Sequence, residues 1–164
     1  MYKRQGSGDD SDLPEPKGDL ILDATCTPAD IHYPPDITLL NDARELLETV
    51  IDELHQPFVG ESRKPRDYRE QARKHFLSFT KTRRPSYKRI KATIRRQLGY
   101  VGRDLKSIAK LLDYSNLELL DRVLYEKLMV VSELYRQQRL MYQQKIHKVE
   151  DRIVSIHQPQ IVRS

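Results

Sequence analysis

The chain of 164 residues has a single cysteine, Cys26, which excludes a disulfide framework and a cysteine-based zinc site within one chain. It has no Gly-rich phosphate loop, no HExxH pair and no nucleophile elbow, so the common short signatures of nucleotide, zinc-protease and hydrolase chemistry are missing. His32, His55, His75, His147 and His157 fall at no metal-ligand spacing and read as surface or packing residues. No apolar run follows Met1, and none approaches the roughly 18 residues a spanning helix needs. A membrane partner is therefore not expected, and a cytoplasmic location is.

What remains is a polar, charged chain. Apolar residues make up 38% and charged residues 32%, a balance closer to long exposed helices than to a compact globule. The length fits one domain, or one domain with appendages. The net charge of +5 favours an anionic partner.

Residues 1–19 combine Gly, Ser and Pro with five carboxylates and are expected to be a disordered lead-in, because they cannot bury enough apolar surface to offset ordering. Leu20 to Cys26 is a short apolar run that predicts a buried strand, with Asp23 in it or at its end. A carboxylate there is costly unless it is paired, protonated or metal-bound. Asp23 is therefore either a metal-binding or catalytic group, or a carboxylate taking backbone hydrogen bonds at a turn. Pro34-Pro35 predicts extended backbone, and Asp36 a helix N-cap.

Residues 37–149 read as helical. Ile37, Leu40, Ala43, Leu47, Val50 or Ile51, and Leu54 recur every three to four residues and predict an amphipathic helix ending before Pro57. After a loop over 57–66, a second helix is expected from Asp67 to about Thr80. A third opens near Pro85 and Ser86, with a heptad-like seam of Ile90, Ile94, Leu98, Val101, Leu105, Ile108 and Leu112. Gly99 and Gly102 interrupt it, each marking a bend or a close helix contact. Ser115-Asn116-Leu117-Glu118 has the capping-box pattern and opens a fourth helix with the seam Leu117, Leu120, Leu124, Leu128, Val131, Tyr135, Gln138 and Tyr142. Two such helices joined by Asp113 to Asn116 must fold back antiparallel to bury both seams. In residues 150–164 the period changes to two: Ile153, Val154 and Ile156 predict a strand, and Ile161 onward another that the chain leaves unfinished, so the sequence reads as truncated.

Charge is distributed unevenly. From Arg63 to Lys106 sixteen Lys or Arg face three carboxylates, a local excess of +13. Arg63, Lys64, Arg66, Arg69, Arg73, Lys74, Lys81, Arg83, Arg84, Lys88, Arg89, Lys91, Arg95 and Arg96 are dense enough to track a phosphate backbone through salt-sensitive contacts. The alternative is a solvated basic face, or one neutralised by Asp42, Glu45, Glu48, Asp52 and Glu53 of the first helix.

Leu22-Asp23-Ala24-Thr25-Cys26-Thr27-Pro28-Ala29-Asp30-Ile31-His32-Tyr33-Pro34-Pro35-Asp36-Ile37-Thr38-Leu39-Leu40-Asn41 resembles the first catalytic block of bacterial DDE-type insertion-sequence transposases of the D-A-T-x-x-P-x-D-I-x-Y-P-T-D branch. Lys64-Pro65-Arg66, Arg83-Arg84-Pro85-Ser86, Glu133 to Gln138 and Val149 to Pro159 resemble later blocks in the same order. Pro35 stands where that branch usually has threonine. The resemblance implies an RNase H-like core with Asp23 on its first strand. The mainly α fold read from the seams, a long antiparallel helical hairpin plus additional helices, would then be inserted after the first strand of an incomplete core that resumes near Arg152. The resemblance further implies two-metal catalysis with Mg2+ or Mn2+ on DNA. Asp23 is the one metal-binding carboxylate it carries over; the second Asp and the Glu are expected beyond Ser164. The functional expectation is thus a transposase fragment, inactive alone, whose basic insertion contacts DNA or forms homo-oligomers. The competing expectation is a non-enzymatic basic helical module for nucleic-acid binding or dimerisation.

Overall fold

The computed structural model describes residues 28–157, which are mainly helical and contain no β-strand among them. The predicted strand at Leu20 to Cys26, Asp23 itself and the segment from Ile161 lie outside the described residues. The chain divides into two compact units, Met1–Pro35 and Asp36–Ser164. Of the first, the described part is the start of a helix. The second holds the rest of the described residues.

Four helices follow in order: α1 (Pro28–His55), α2 (Arg69–Thr80), α3 (Tyr87–Leu111) and α4 (Arg122–Gln144). Single 3-10 turns lie at Gln56–Phe58 and Leu117–Leu119. The apolar positions of α1 are all buried, from Ile37 through Leu40, Ala43, Leu47, Val50 and Ile51 to Leu54. The helix ends where Pro57 denies the next turn a backbone donor.

The N-terminal side of α1 corrects the expectation of extended backbone. The helix runs through Pro34 and Pro35, and Asp36 lies inside it rather than at its cap. The buried Asp36 carboxylate does not cap: it is taken by tertiary partners, the Arg152 guanidinium and Gln138 Nε2 at 3.3 Å.

Helix α3 begins as expected, with Ser86 Oγ accepting from the Arg89 amide at 3.1 Å. The capping-box pattern at Ser115 does not open α4. Asn116 Oδ1 accepts from Glu118 N and starts only the 3-10 turn, while Ser115 Oγ donates to the Leu54 carbonyl at 2.7 Å. The α-helix starts later, capped by Asp121, whose Oδ1 accepts from Leu124 N at 2.7 Å. Lys145, in the left-handed region at φ 57°, ends it.

Helices α3 and α4 form the antiparallel hairpin: Gly102 meets Tyr135, and the Lys91 ammonium lies 5.9 Å from the Tyr142 ring centre. A Cβ at Gly102 would lie 2.7 Å from Tyr135 Oη, so this glycine marks a close helix contact; Gly99 meets no such crowding. Helix α2 packs on α3 through His75, whose Nδ1 is 2.6 Å from Tyr100 Oη.

The predicted strand at Ile153 does not form: residues 152–155 carry no regular secondary structure. Its period-two alternation is lost as well: Ile153 and Ile156, three positions apart, are buried and Val154 is exposed. A side chain takes the place of a neighbouring strand. The Gln137 amide donates to the Asp151 carbonyl at 3.1 Å and accepts from the Ile153 amide at 2.9 Å.

Candidate nucleic-acid interface

The α2–loop–α3 segment concentrates cations because its sequence spends few positions on the core. In α2 only Ala72 and Phe79 are buried, so Arg73 and Lys74 face water. The turn supplies Lys81, Arg83 and Arg84, all exposed, and the first turns of α3 add Lys88, Arg89, Arg95 and Arg96, also exposed. Arg89 draws the turn together by donating to Ser78 O at 3.3 Å. None of these residues forms an ion pair with a carboxylate among the described residues, so their charge is available to an external anion.

The other sequence-selected cations behave differently. Lys64 and Arg69, both half-buried, converge on Asp52 at 2.6 and 3.1 Å, and Arg69 also reaches Asp67 at 3.1 Å. Burial pushes the Asp52 carboxyl up, but hydrogen bonds from Arg69 and Lys64 outweigh it and hold the group below its ordinary value of 3.8. These two cations tie the α1–α2 loop to α1. Half-buried Lys91 lies against Tyr142 in the hairpin. Arg63 and Arg66 are exposed beside α3, with the Arg66 guanidinium 5.1 Å from the Tyr68 ring centre. The first helix therefore engages two of the fourteen cations through Asp52, and the cations of the turn and of exposed α3 have no carboxylate partner among the described residues.

A second charged constellation is internal. Along α1, Asn41, Arg44 and Glu48 are buried; along α3, Thr93, Gln97, Tyr100 and Asp104 are buried at spacings of 4, 3 and 4. Arg44, 2% exposed, is ion-paired with Glu48 and donates to Asn41 Oδ1 at 2.8 Å. Burial nevertheless raises the Glu48 carboxyl above its ordinary value. Burial, reinforced by the neighbouring Glu48 charge, pushes Asp104 up to about 7. Gln97 is fully buried with neither amide atom hydrogen-bonded. The sequence signal for this seam was present in the helical spacing of its polar residues, but an apolar seam on the same helix obscures it.

Three of the five segments that carry the transposase resemblance meet around the last described residues. Asp36 of the first block binds Gln138 and Arg152, and Gln137 beside Gln138 binds the backbone at Asp151 and Ile153. No group of three or more His, Cys, Asp or Glu suited to a metal ion occurs among the described residues. No helix among them is long and apolar enough to cross a membrane. No protein-family profile, curated protein or solved structure matches the chain.

Proposed function

We propose that this chain is a DNA-contacting helical part of the catalytic region of a DDE-type transposase, acting in the cytoplasm. The observation that carries the reading is the unpaired cationic surface from Arg73 to Arg96, exposed on one helix–turn–helix segment. Phosphate contacts of this kind position a duplex and release counterions. Support for the transposase assignment comes from the meeting of Asp36, Gln137, Gln138 and Arg152, which joins three separate sequence blocks of the resemblance into one structural unit. In this reading Asp23 lies on the first strand of an RNase H-like core and is one of the ligands of Mg2+ or Mn2+. The described helices, in this reading, hold and orient DNA.

Fluorescence anisotropy with duplex DNA at several salt concentrations tests the binding. Affinity is expected to fall steeply between about 50 and 200 mM salt, as for roughly six to ten phosphate contacts. Reversing Arg83, Arg84, Arg95 and Arg96 to Glu is expected to remove most of the binding and flatten the salt dependence; salt-insensitive binding would sink the proposal. In a strand-transfer assay with Mg2+ or Mn2+, the chain alone is expected to be inactive, and robust activity abolished by Asp23→Ala would overturn that part.

The second reading is a dimerisation module, favoured by Leu119, Val123, Tyr125 and Met129, which expose large apolar side chains at the start of α4 and just before it. Sedimentation velocity with and without Val123→Glu separates it from the first: a dimer lost in the variant, with duplex affinity unchanged, is its signature.

A further inference from the structure

The other end of α3 carries a different cationic feature. Between the α1–α2 loop and the last turns of α3 lies a cleft of about 430 Å3, within the range that holds small ligands. Part of its lining is apolar: Pro65, Leu111 and the rings of Tyr68 and Tyr114. The rest is strongly cationic, with Arg63, Arg66, Arg103, Lys106 and Lys110 and no carboxylate. Arg103, Lys106 and Lys110 share one face of α3 through spacings of 3 and 4.

Three observations give this cleft a ligand class. First, none of the five cations is ion-paired with a carboxylate among the described residues; the nearby Asp67 is engaged by Arg69 and Lys64. Second, the Arg66 and Arg103 guanidiniums each lie 5.1 Å from the Tyr68 ring centre, and Arg103 is also 5.5 Å from that of Tyr100. Ring attraction positions them without using their N–H donors, and neither donates a hydrogen bond to another described residue. Third, Tyr114 is 40% exposed while its ring is fixed against Phe58, with centres 4.9 Å apart and planes at 89°.

Positioned but unspent guanidiniums suit a phosphate, whose oxygens accept several charge-assisted hydrogen bonds. A phosphate monoester carries about −1.5 to −2 charge at neutral pH, which a cluster of five cations matches better than a single carboxylate would. The apolar and aromatic walls suit a flat base, which stacks on a tyrosine ring regardless of its identity. We propose that this cleft binds a nucleoside 5′-phosphate, either free or at the end of an unpaired strand, with phosphate on the Arg66–Arg103–Lys106–Lys110 side and the base on Tyr114. The proposal is independent of the duplex-binding surface, because it uses none of the residues from Arg73 to Arg96.

The test is calorimetric titration of the full chain with dAMP, deoxyadenosine and inorganic phosphate. Saturable dAMP binding at least about tenfold tighter than either half-ligand is expected, since both walls contribute. Lys106→Gln with Lys110→Gln should weaken dAMP roughly tenfold or more. Tyr114→Ala should weaken dAMP roughly five- to hundredfold, while leaving inorganic phosphate and duplex DNA unaffected. All three side chains are exposed, and an unchanged thermal midpoint confirms that the variants fold. No saturable dAMP binding, phosphate binding as tightly as dAMP, or binding indifferent to these variants overturns the proposal. Comparing dTMP with 5′-phosphorylated and 5′-hydroxyl hexathymidylate identifies the source: tighter binding of the phosphorylated strand assigns a strand end, and equal affinity with dTMP assigns the free nucleotide. Loss of duplex binding in the Arg83 to Arg96 reversals with dAMP binding retained, or the converse, keeps the two proposals separable.

Discussion

Helix α3 carries charge toward water and toward the core, and the two sides follow opposite rules. Outside, Lys88, Arg95 and Arg96 stand among like-signed neighbours with no carboxylate in ion-pair range among the described residues. Water solvates them, and salt screens their repulsion over about 8–10 Å. Inside, Asp104 is influenced by Arg44 and Glu48, all three nearly or fully excluded from solvent. There the charges have little but one another for solvation, and Arg44, with a lesser contribution from Arg69, serves two carboxylates. The outer set is free to exchange counterions for a ligand. The inner set is committed to the fold, and its protonation state depends on pH.

Breaking the inner set should have the largest effect. Arg44→Met removes the buried partner of Glu48 and leaves two buried carboxylates without their main cation. The expected loss is about 3–5 kcal/mol of unfolding free energy at neutral pH, read as a lower urea midpoint at unchanged slope. The loss should shrink toward pH 5, because Glu48 and Asp104 can then take up protons. A variant equally destabilised at both pH values would show that Arg44 acts by packing rather than by charge.

Asp104→Asn tests the same seam with the opposite sign. The carboxyl is raised from 3.8 to about 7 in the folded chain, so between these values the native state holds a proton that the unfolded state has released. Stability is therefore full below about pH 4, falls as pH rises toward 7, and levels off above. Asn cannot ionise, so the variant should lack this decline and be more stable than the parent at pH 8 by about 2–4 kcal/mol. Urea melts of both proteins from pH 5 to 8 provide the measurement; parallel profiles would remove Asp104 as the titrating group.

How much of this was legible in the sequence differs between the two sides. The outer side was legible because exposure leaves composition intact: a run with sixteen cations and three acids stays basic in any helical arrangement. The apolar seams of α1 and α3 were legible for the same reason, since periodicity reports the buried face directly. The polar seam of Thr93, Gln97, Tyr100 and Asp104 was not, because burial of polar residues depends on partners from another helix. Asp36 and Ser115 were misassigned as local caps for that reason as well. Each has the right residue type for a cap, but their side chains go to Arg152 and to the Leu54 carbonyl, more than sixty positions away in the chain. The segment at Ile153 shows a subtler limit. Its apolar residues were readable, but burial falls on Ile153 and Ile156, three positions apart, and the backbone is held by the Gln137 side chain instead of a strand. The strand proposed to carry Asp23 lies outside the described residues.

The boundary between the two sides is the Asp52 cluster, and its effect should be smaller. The Asp52 side chain is 46% exposed, so screening reduces what its two cations contribute. Asp52→Asn is expected to cost about 0.5–1 kcal/mol at neutral pH. Because the folded carboxyl is held below 3.8, its contribution is present above that value and is lost as pH falls further. The parent and variant should therefore converge in acid, where the Asp104 pair diverges least as well. A cost well above this range would mean that Lys64 and Arg69 anchor the loop more firmly than their exposure implies.

The smallest stability effect is expected where the binding effect is largest. Arg83→Glu with Arg84→Glu changes the local charge by four, yet neither residue is buried or ion-paired among the described residues. Surface substitutions of this kind usually stay within about 0.5 kcal/mol, and here relief of like-charge repulsion should make the variant marginally more stable at low salt. The gain should vanish near 1 M salt, where the screening length is about 3 Å. Thermal melts across salt, run beside duplex titrations, separate the two roles. A surface shaped for an external anion loses affinity while the fold holds or tightens; a basic face needed by the fold would lose both together.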